Sequence, residues 1–126
     1  VPAQLAVKPA LNNKSFSKDL ILPNSKLKIQ RDVTWNSLNE IPGISCVRPA
    51  GAFYLFPKLD PKVYDIANDE NLILHILSKE KILLVQGSAF NAQDNHHFRI
   101  VFLPPAEQLA DALKRVARVL EEFRSL

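Results

Sequence analysis

The stretch DNHHFRIVFLPP, residues 94–105, sets one arginine, Arg99, among Phe98, Ile100, Val101, Phe102 and Leu103. A guanidinium stays protonated, and burying one without a partner is costly. Read as a strand, the stretch resolves the conflict. Side chains alternate across a sheet, so Phe98, Ile100 and Phe102 share one face while His97, Arg99 and Val101 share the other. The first face belongs under helices. The second lets Arg99 look out of the sheet, either to an ordinary salt bridge or into a cleft. A planar fork in a cleft suits a carboxylate, which it can hold through two parallel hydrogen bonds.

The chain on either side fits a strand at this place. Pro104–Pro105 opens a helix over about 106–124, with Leu109, Leu113, Val116, Leu120 and Phe123 as one apolar stripe. Upstream, ILLVQ (82–86) runs into Gly87 and reads as a covered strand. Asn68 or Asp69 caps a helix through about Lys79 that buries Leu72, Ile73, Ile76 and Leu77. ISCV (44–47) and AFYLF (52–56) read as two strands of a hairpin around the turn RPAG (48–51). A helix capped at Asn24 or Ser25 runs through about Asn39, with Leu27, Arg31, Thr34, Leu38 and Ile41 on one face and Trp35 beside it, and Pro42–Gly43 stops it. The order is helix, two strands, helix, two strands, helix. It predicts an α/β fold of the α+β two-layer kind, one sheet with helices largely on one face. Residues 1–22 do not fit this frame. Pro9 breaks a helix begun at Pro2, Asn12 and Asn13 favour a turn, and the segment is expected to be loosely attached.

Composition sets bounds. The 126 residues are enough for one domain with a core, and 47% of them are hydrophobic against 23% charged. The single cysteine, Cys46, excludes an internal disulfide and a cysteine metal cluster, which points to a reducing, cytoplasmic setting. No run approaches the ~20 apolar residues of a membrane span. The net charge of +3 is uneven: residues 1–63 hold nine basic against four acidic side chains, residues 64–126 seven against nine. Lys8, Lys14, Lys18, Lys26, Lys28 and Arg31 could track phosphates, but a solvated helix face explains them as well. The chain has no methionine, and its opening VPAQLAVKPAL reads as interior sequence, so a piece of a longer protein is expected.

Other chemical patterns are thin. His96 and His97 face opposite ways in a strand and cannot share a metal, and His75 sits mid-helix, so no metal site is expected. Gly43, Gly51 and Gly87 stand alone and form no phosphate-binding loop. The aromatic run GAFYLF (51–56) resembles the base-stacking strand of RNA-recognition modules, with core packing the better reading. SFSK (15–18) has the local look of a Schiff-base lysine, yet DLILP follows it and Lys18 reads as a surface residue.

Three ordered stretches carry a more specific likeness. LNEIPGISCVRPAGAFYLFPKLD (38–60), KEKILLVQGSAFN (79–91) and HFRIVFLPP (97–105) resemble the C-terminal domain of the class I/II, fold-type I, pyridoxal phosphate aminotransferases, and within them the bacterial alanine (glutamate–pyruvate) group. VPAQ at the start resembles the large-domain segment just before the chain crosses to the small domain. The resemblance implies that residues 1–22 close the large domain or link the two, and that residues 23–126 are the small domain. It implies that Arg99 grips the substrate α-carboxylate, and that Gly87, Ser88 and Phe90 line the cleft edge for shape and closure. It implies pyridoxal 5'-phosphate as the parent's cofactor, an amino acid and a 2-oxo acid as substrates, and a homodimer. The Schiff-base lysine and the other cofactor-binding residues of the family find no match, so the chain by itself is expected to carry no catalytic residue, bind no cofactor and be inactive. The competing expectation is a free-standing module that binds nucleic acid or a small carboxylate through the basic run, the aromatic strand or Arg99.

Overall fold

The computed structural model describes residues 1–125, apart from the side chains of residues 16, 17, 19 and 21. Five helices and five short strands follow in the order α1 (Pro2–Asn12), α2 (Lys14–Ile21), α3 (Lys26–Asn39), β1 (Ile44–Ser45), β2 (Tyr54–Leu55), β3 (Lys58–Leu59), α4 (Asp69–Glu80), β4 (Val85–Gln86), β5 (Phe98–Val101) and α5 (Ala106–Leu120). Ser25 caps α3 by accepting the Lys28 N–H, and Asn68 caps α4 by accepting that of Asn71. Helix α4 ends at Lys81 in the left-handed conformation. A 3-10 turn, Gly87–Phe90, follows β4.

All strand pairs are antiparallel. One ladder joins β1 to β3, and another runs in the order β2, β5, β4. The two are halves of one sheet interrupted at Pro57, which has no N–H to give. Lys58 bridges to His97, the Phe98 N–H donates to the Pro57 carbonyl at 3.3 Å, and the Leu59 N–H donates to that of His96 at 2.7 Å. The segment 54–59 therefore runs along the whole of 96–101.

The expected hairpin between 44–47 and 52–56 does not form. Ile44 pairs with Leu59 and Ser45 with Lys58, so the partner of β1 lies beyond Pro57. Side chains of α3 explain the early end of β1: Asn39 Oδ1 accepts the Cys46 N–H at 3.0 Å, and Trp35 Nε1 donates to the Cys46 carbonyl at 2.8 Å. ILLVQ is likewise not a covered strand. Only Val85 and Gln86 pair, at the sheet edge, and Leu83 is 74% exposed, because the left-handed turn at Lys81 leaves 82–84 as a connection.

Residues 1–22 are helical rather than irregular. α1 continues through Pro9, and Asn13 makes the expected turn before α2. A proline ring removes one helix hydrogen bond and crowds the carbonyl four residues back. Since α1 buries none of its residues, water can reach the backbone that Pro9 frees.

The core forms where helices meet the inward face of the sheet. Phe98, Ile100, Phe102, Leu55 and Leu59 pack with Leu38, Leu72, Ile76, Leu113 and Val116, all buried. Leu77, expected inside, is only half-buried. Tyr64 is fully buried and donates its hydroxyl to the Pro42 carbonyl at 2.6 Å. That contact fixes the Pro42–Gly43 turn, where Gly43 has φ +83° and a Cβ would lie 2.7–2.9 Å from Val63 and Tyr64. The opposite face of the sheet is left open.

Candidate functional site

Arg99 sits on that open face. Its backbone pairs with Val85, and its neighbours Phe98 and Ile100 are 1% and 6% exposed on the core side, so the alternation expected for the strand holds. The guanidinium lies between two rings, its Cζ 4.5 Å from the centroid of Tyr54 and 4.3 Å from that of Phe90. Rings on either side of a guanidinium favour the cation and restrict its rotation. Arg99 makes no salt bridge among the described residues, which removes the ordinary ion pair as an account of it. Its Nε is buried and has no hydrogen-bond partner, alone among buried side-chain nitrogens and oxygens of the described residues. A buried donor without an acceptor costs about 1–3 kcal/mol, more when charged. No described residue supplies that acceptor.

The guanidinium faces a depression of about 360 Å³ walled by Tyr54, Phe56, Phe90, Asn91 and Ala92. Phe56 meets Phe90 edge-on at 6.2 Å and stacks on His97 at 5.2 Å. His97 Nδ1 lies 2.6 Å from Asp94 Oδ1, and this hydrogen bond holds the Asp94 carboxyl below its ordinary range. Asp94 also accepts the His96 N–H at 3.0 Å, which orders the loop entering β5.

The aromatic run 52–56 departs from expectation. Only Leu55 reaches the core, while Phe53, Tyr54 and Phe56 are each more than 40% exposed. Tyr54 and Phe56 share a face as alternation requires, but that face is the wall of the depression. Of the three cleft residues, Phe90 lines the depression. Gly87 and Ser88 are not among its walls. Gly87 is buried and its N–H donates to the His97 carbonyl at 2.8 Å; a Cβ there would lie 2.8 Å from that same oxygen. Ser88 turns to Asp69: its N–H donates to Oδ2 at 2.8 Å and its hydroxyl to Oδ1 at 2.9 Å.

Other sites offer less. A depression of about 410 Å³ between α2, α3 and the 49–53 turn has Lys28 and Arg31 among its walls. Arg31 there is engaged, 2.7 Å from Asp32 and donating to the Pro49 carbonyl. No group of three or more metal-ligating side chains occurs among the described residues. Lys18 is exposed on α2. No helix among the described residues is long and apolar enough to cross a membrane.

A two-layer α+β domain with an arginine clamped between rings, its donor unspent, is of the class that can take up an anion at that arginine. The comparisons narrow the class. The model of the family "Aminotransferase class I and II" matches residues 1–116, and the chain belongs to that family. It is 51% identical over 124 residues to the alanine aminotransferase of Mycobacterium tuberculosis (strain ATCC 25618 / H37Rv), covering 98% of this chain and 29% of that protein. It is 44% identical over 126 residues to the glutamate-pyruvate aminotransferase AlaA of Escherichia coli (strain K12), covering 100% of this chain and 31% of that one. Among solved structures, an aminotransferase from Escherichia coli superposes with a TM-score of 0.81 at 44% identity, over 86% of this chain and 27% of that one. The chain therefore spans just under a third of the length of the curated relatives it matches.

Proposed function

We propose that this chain is the C-terminal small domain of a longer aminotransferase, and that Arg99 holds the α-carboxylate of its substrate. The observation that carries the reading is the partnerless Nε of Arg99, clamped between Tyr54 and Phe90 at the edge of an open depression. A carboxylate presents two coplanar oxygens, and the guanidinium fork meets both without rotating. Holding the substrate this way fixes where its α-carbon sits, which is the entropic part of catalysis that a binding residue can supply. The names of the relatives favour alanine and glutamate with their 2-oxo acids as the exchanging pairs.

In this reading residues 1–22 end the large domain or link the two, and residues 23–126 form the small one. Phe90 is the edge that shapes and closes the cleft, with Gly87 and Ser88 supporting it. The parent is a cytoplasmic homodimer. The family's cofactor, pyridoxal 5'-phosphate, does not find its cradle among the residues described: Lys18 points to solvent from α2, and the unspent donor of Arg99 suits a substrate carboxylate. No chemical step is assigned to this chain, which acts by binding and orientation. The isolated chain is therefore inactive.

Two measurements test this. The chain titrated alone with pyridoxal phosphate should give no protein-bound visible band and no transamination. In the full-length enzyme, Arg99→Lys keeps the charge and loses the fork. It should raise KM for the amino acid about 10- to 100-fold, in line with about 1.5–3 kcal/mol for hydrogen bonds to a charged group. An unchanged KM would sink the assignment of Arg99.

A further inference from the structure

We infer that Asp69 positions the Arg99 grip, by anchoring the 3-10 turn Gly87–Phe90 whose last residue forms one wall of the clamp; the inference rests on reading Arg99 as the carboxylate holder. Asp69 is the one buried acidic side chain among the described residues, 4% exposed, and no Lys, Arg or His there forms an ion pair with it. A buried carboxylate persists only where donors satisfy its oxygens. Both donors come from one residue of the turn, the N–H and the hydroxyl of Ser88. Two bonds from one residue fix its orientation as well as its distance.

Helix capping does not account for this arrangement. Asn68 already caps α4 through the Asn71 N–H at 2.8 Å, and the oxygens of Asp69 reach away from the helix to the turn. The start of α4 favours the negative charge, which lowers the cost of keeping it there. Two residues beyond Ser88, Phe90 is 44% exposed. The ring is only partly covered, with Phe56 edge-on beside it, so its place at 4.3 Å from the guanidinium depends on where the turn sits. That turn is tied on one side to His97 through Gly87 and on the other to Asp69 through Ser88. Asp69 does not line the depression, so any effect on substrate passes through the turn, to Phe90 and the adjoining Asn91 and Ala92.

The test uses the full-length enzyme with Asp69→Ala, Asp69→Asn, Ser88→Ala, Phe90→Ala and Arg99→Lys. The probe is propionate, a carboxylate with neither an amino nor an oxo group, read as an inhibition constant beside KM and kcat. Asp69→Ala should weaken propionate and raise KM about five- to fifty-fold while kcat changes less than about twofold, the scale of losing two hydrogen bonds to a charged acceptor. Asp69→Asn should restore nearly all of it, because the amide oxygen accepts the Ser88 N–H and the amide nitrogen donates to its hydroxyl. Ser88→Ala, which keeps the backbone donor, should fall between. In a Phe90→Ala background Asp69→Ala should add less to KM than it does alone, since positions acting through one another do not add. Full additivity there, or an unmoved KM and propionate constant in both Asp69→Ala and Ser88→Ala while Arg99→Lys weakens them, overturns the positioning role alone. An unmoved propionate constant in Arg99→Lys overturns the grip, and the positioning role with it. Should Asp69→Ala not fold, Ser88→Ala alone and in the Phe90→Ala background decides by the same criteria.

Discussion

Gly87 and Arg99 are coupled through backbone. The N–H of Gly87 donates to the carbonyl of His97, two residues before Arg99, and the fit leaves no room for a Cβ. The atoms a methyl group would meet are the Cβ, carbonyl carbon and carbonyl oxygen of His97, none of them the end of a flexible side chain. Gly87→Ala should therefore push the turn off β5, moving Phe90 from the guanidinium. In the full-length enzyme the KM for the amino acid should rise, and the chain should lose about 1–3 kcal/mol, as overpacking at a tight contact does. A crystal structure of the variant with Phe90 still against Arg99 would refute this. Strand alternation made the direction of Arg99 legible in the sequence, since a period of two needs only neighbouring residues. The clamp was not legible. Tyr54 lies 45 positions upstream of Arg99 and arrives through a strand pairing that local pattern does not specify. Asp69 was hidden for another reason: an acidic residue in the first turn of a helix already has a local role, so nothing in NDENL marks a contact to Ser88.

At the scale of elements, α3, α4, α5 and β5 were legible to within a few residues, while α1, α2 and the pairing of the other strands were not. α3, α4 and α5 are long enough for a 3.6-residue stripe to repeat, and their caps and stop signals are local. The strands run two to four residues, too short for alternation to fix a partner. β1 was expected to turn back onto 52–56, but Asn39 and Trp35 of α3 occupy the backbone of Cys46, and pairing resumes only past Pro57. α5 binds the layers together. Its stripe Leu109, Leu113, Val116 and Leu120 is buried throughout, and α5 packs on both α3 and α4. Leu113, 1% exposed, stands at the middle of that stripe. Leu113→Ala should cost about 2–5 kcal/mol, the range for a buried leucine cut to alanine. The urea midpoint of the chain should fall with an unchanged slope; a loss below about 1 kcal/mol would mean that α5 is not the central helix of the core. Lys114, exposed on the other face of the same helix, is the control, and Lys114→Ala should be nearly neutral.

For the molecule as a whole, stability should form a dome in pH with two assignable limbs. On the acid side, three carboxyls are held below their ordinary pKa. Asp32 is pushed up by partial burial and pulled further down by hydrogen bonds from Arg31 and Arg48. Asp94 is lowered by His97, and Glu122 by Lys79 and then His75. A carboxyl with a depressed folded pKa stabilises the fold above its unfolded value, and that contribution disappears as pH falls through the folded one. Their ordinary values are 3.8, 3.8 and 4.5, so the loss begins near pH 4.5 and deepens below 3.8. On the alkaline side, burial pushes the Cys46 thiol and the Tyr64 hydroxyl up from 9.0 and 10.0. For these acids the neutral form is the folded one. As pH rises past 9.0 and then 10.0 the unfolded chain gives up protons that the folded chain keeps, so stability falls. Urea midpoints of the chain should thus decline below about pH 4.5 and again above about pH 9. Asp94→Asn should flatten part of the acid limb and leave the alkaline one alone. Tyr64→Phe should lower the plateau, because it strands the Pro42 carbonyl, and should shrink the alkaline decline. An alkaline limb of full depth in both Tyr64→Phe and Cys46→Ser would locate that titration elsewhere in the molecule.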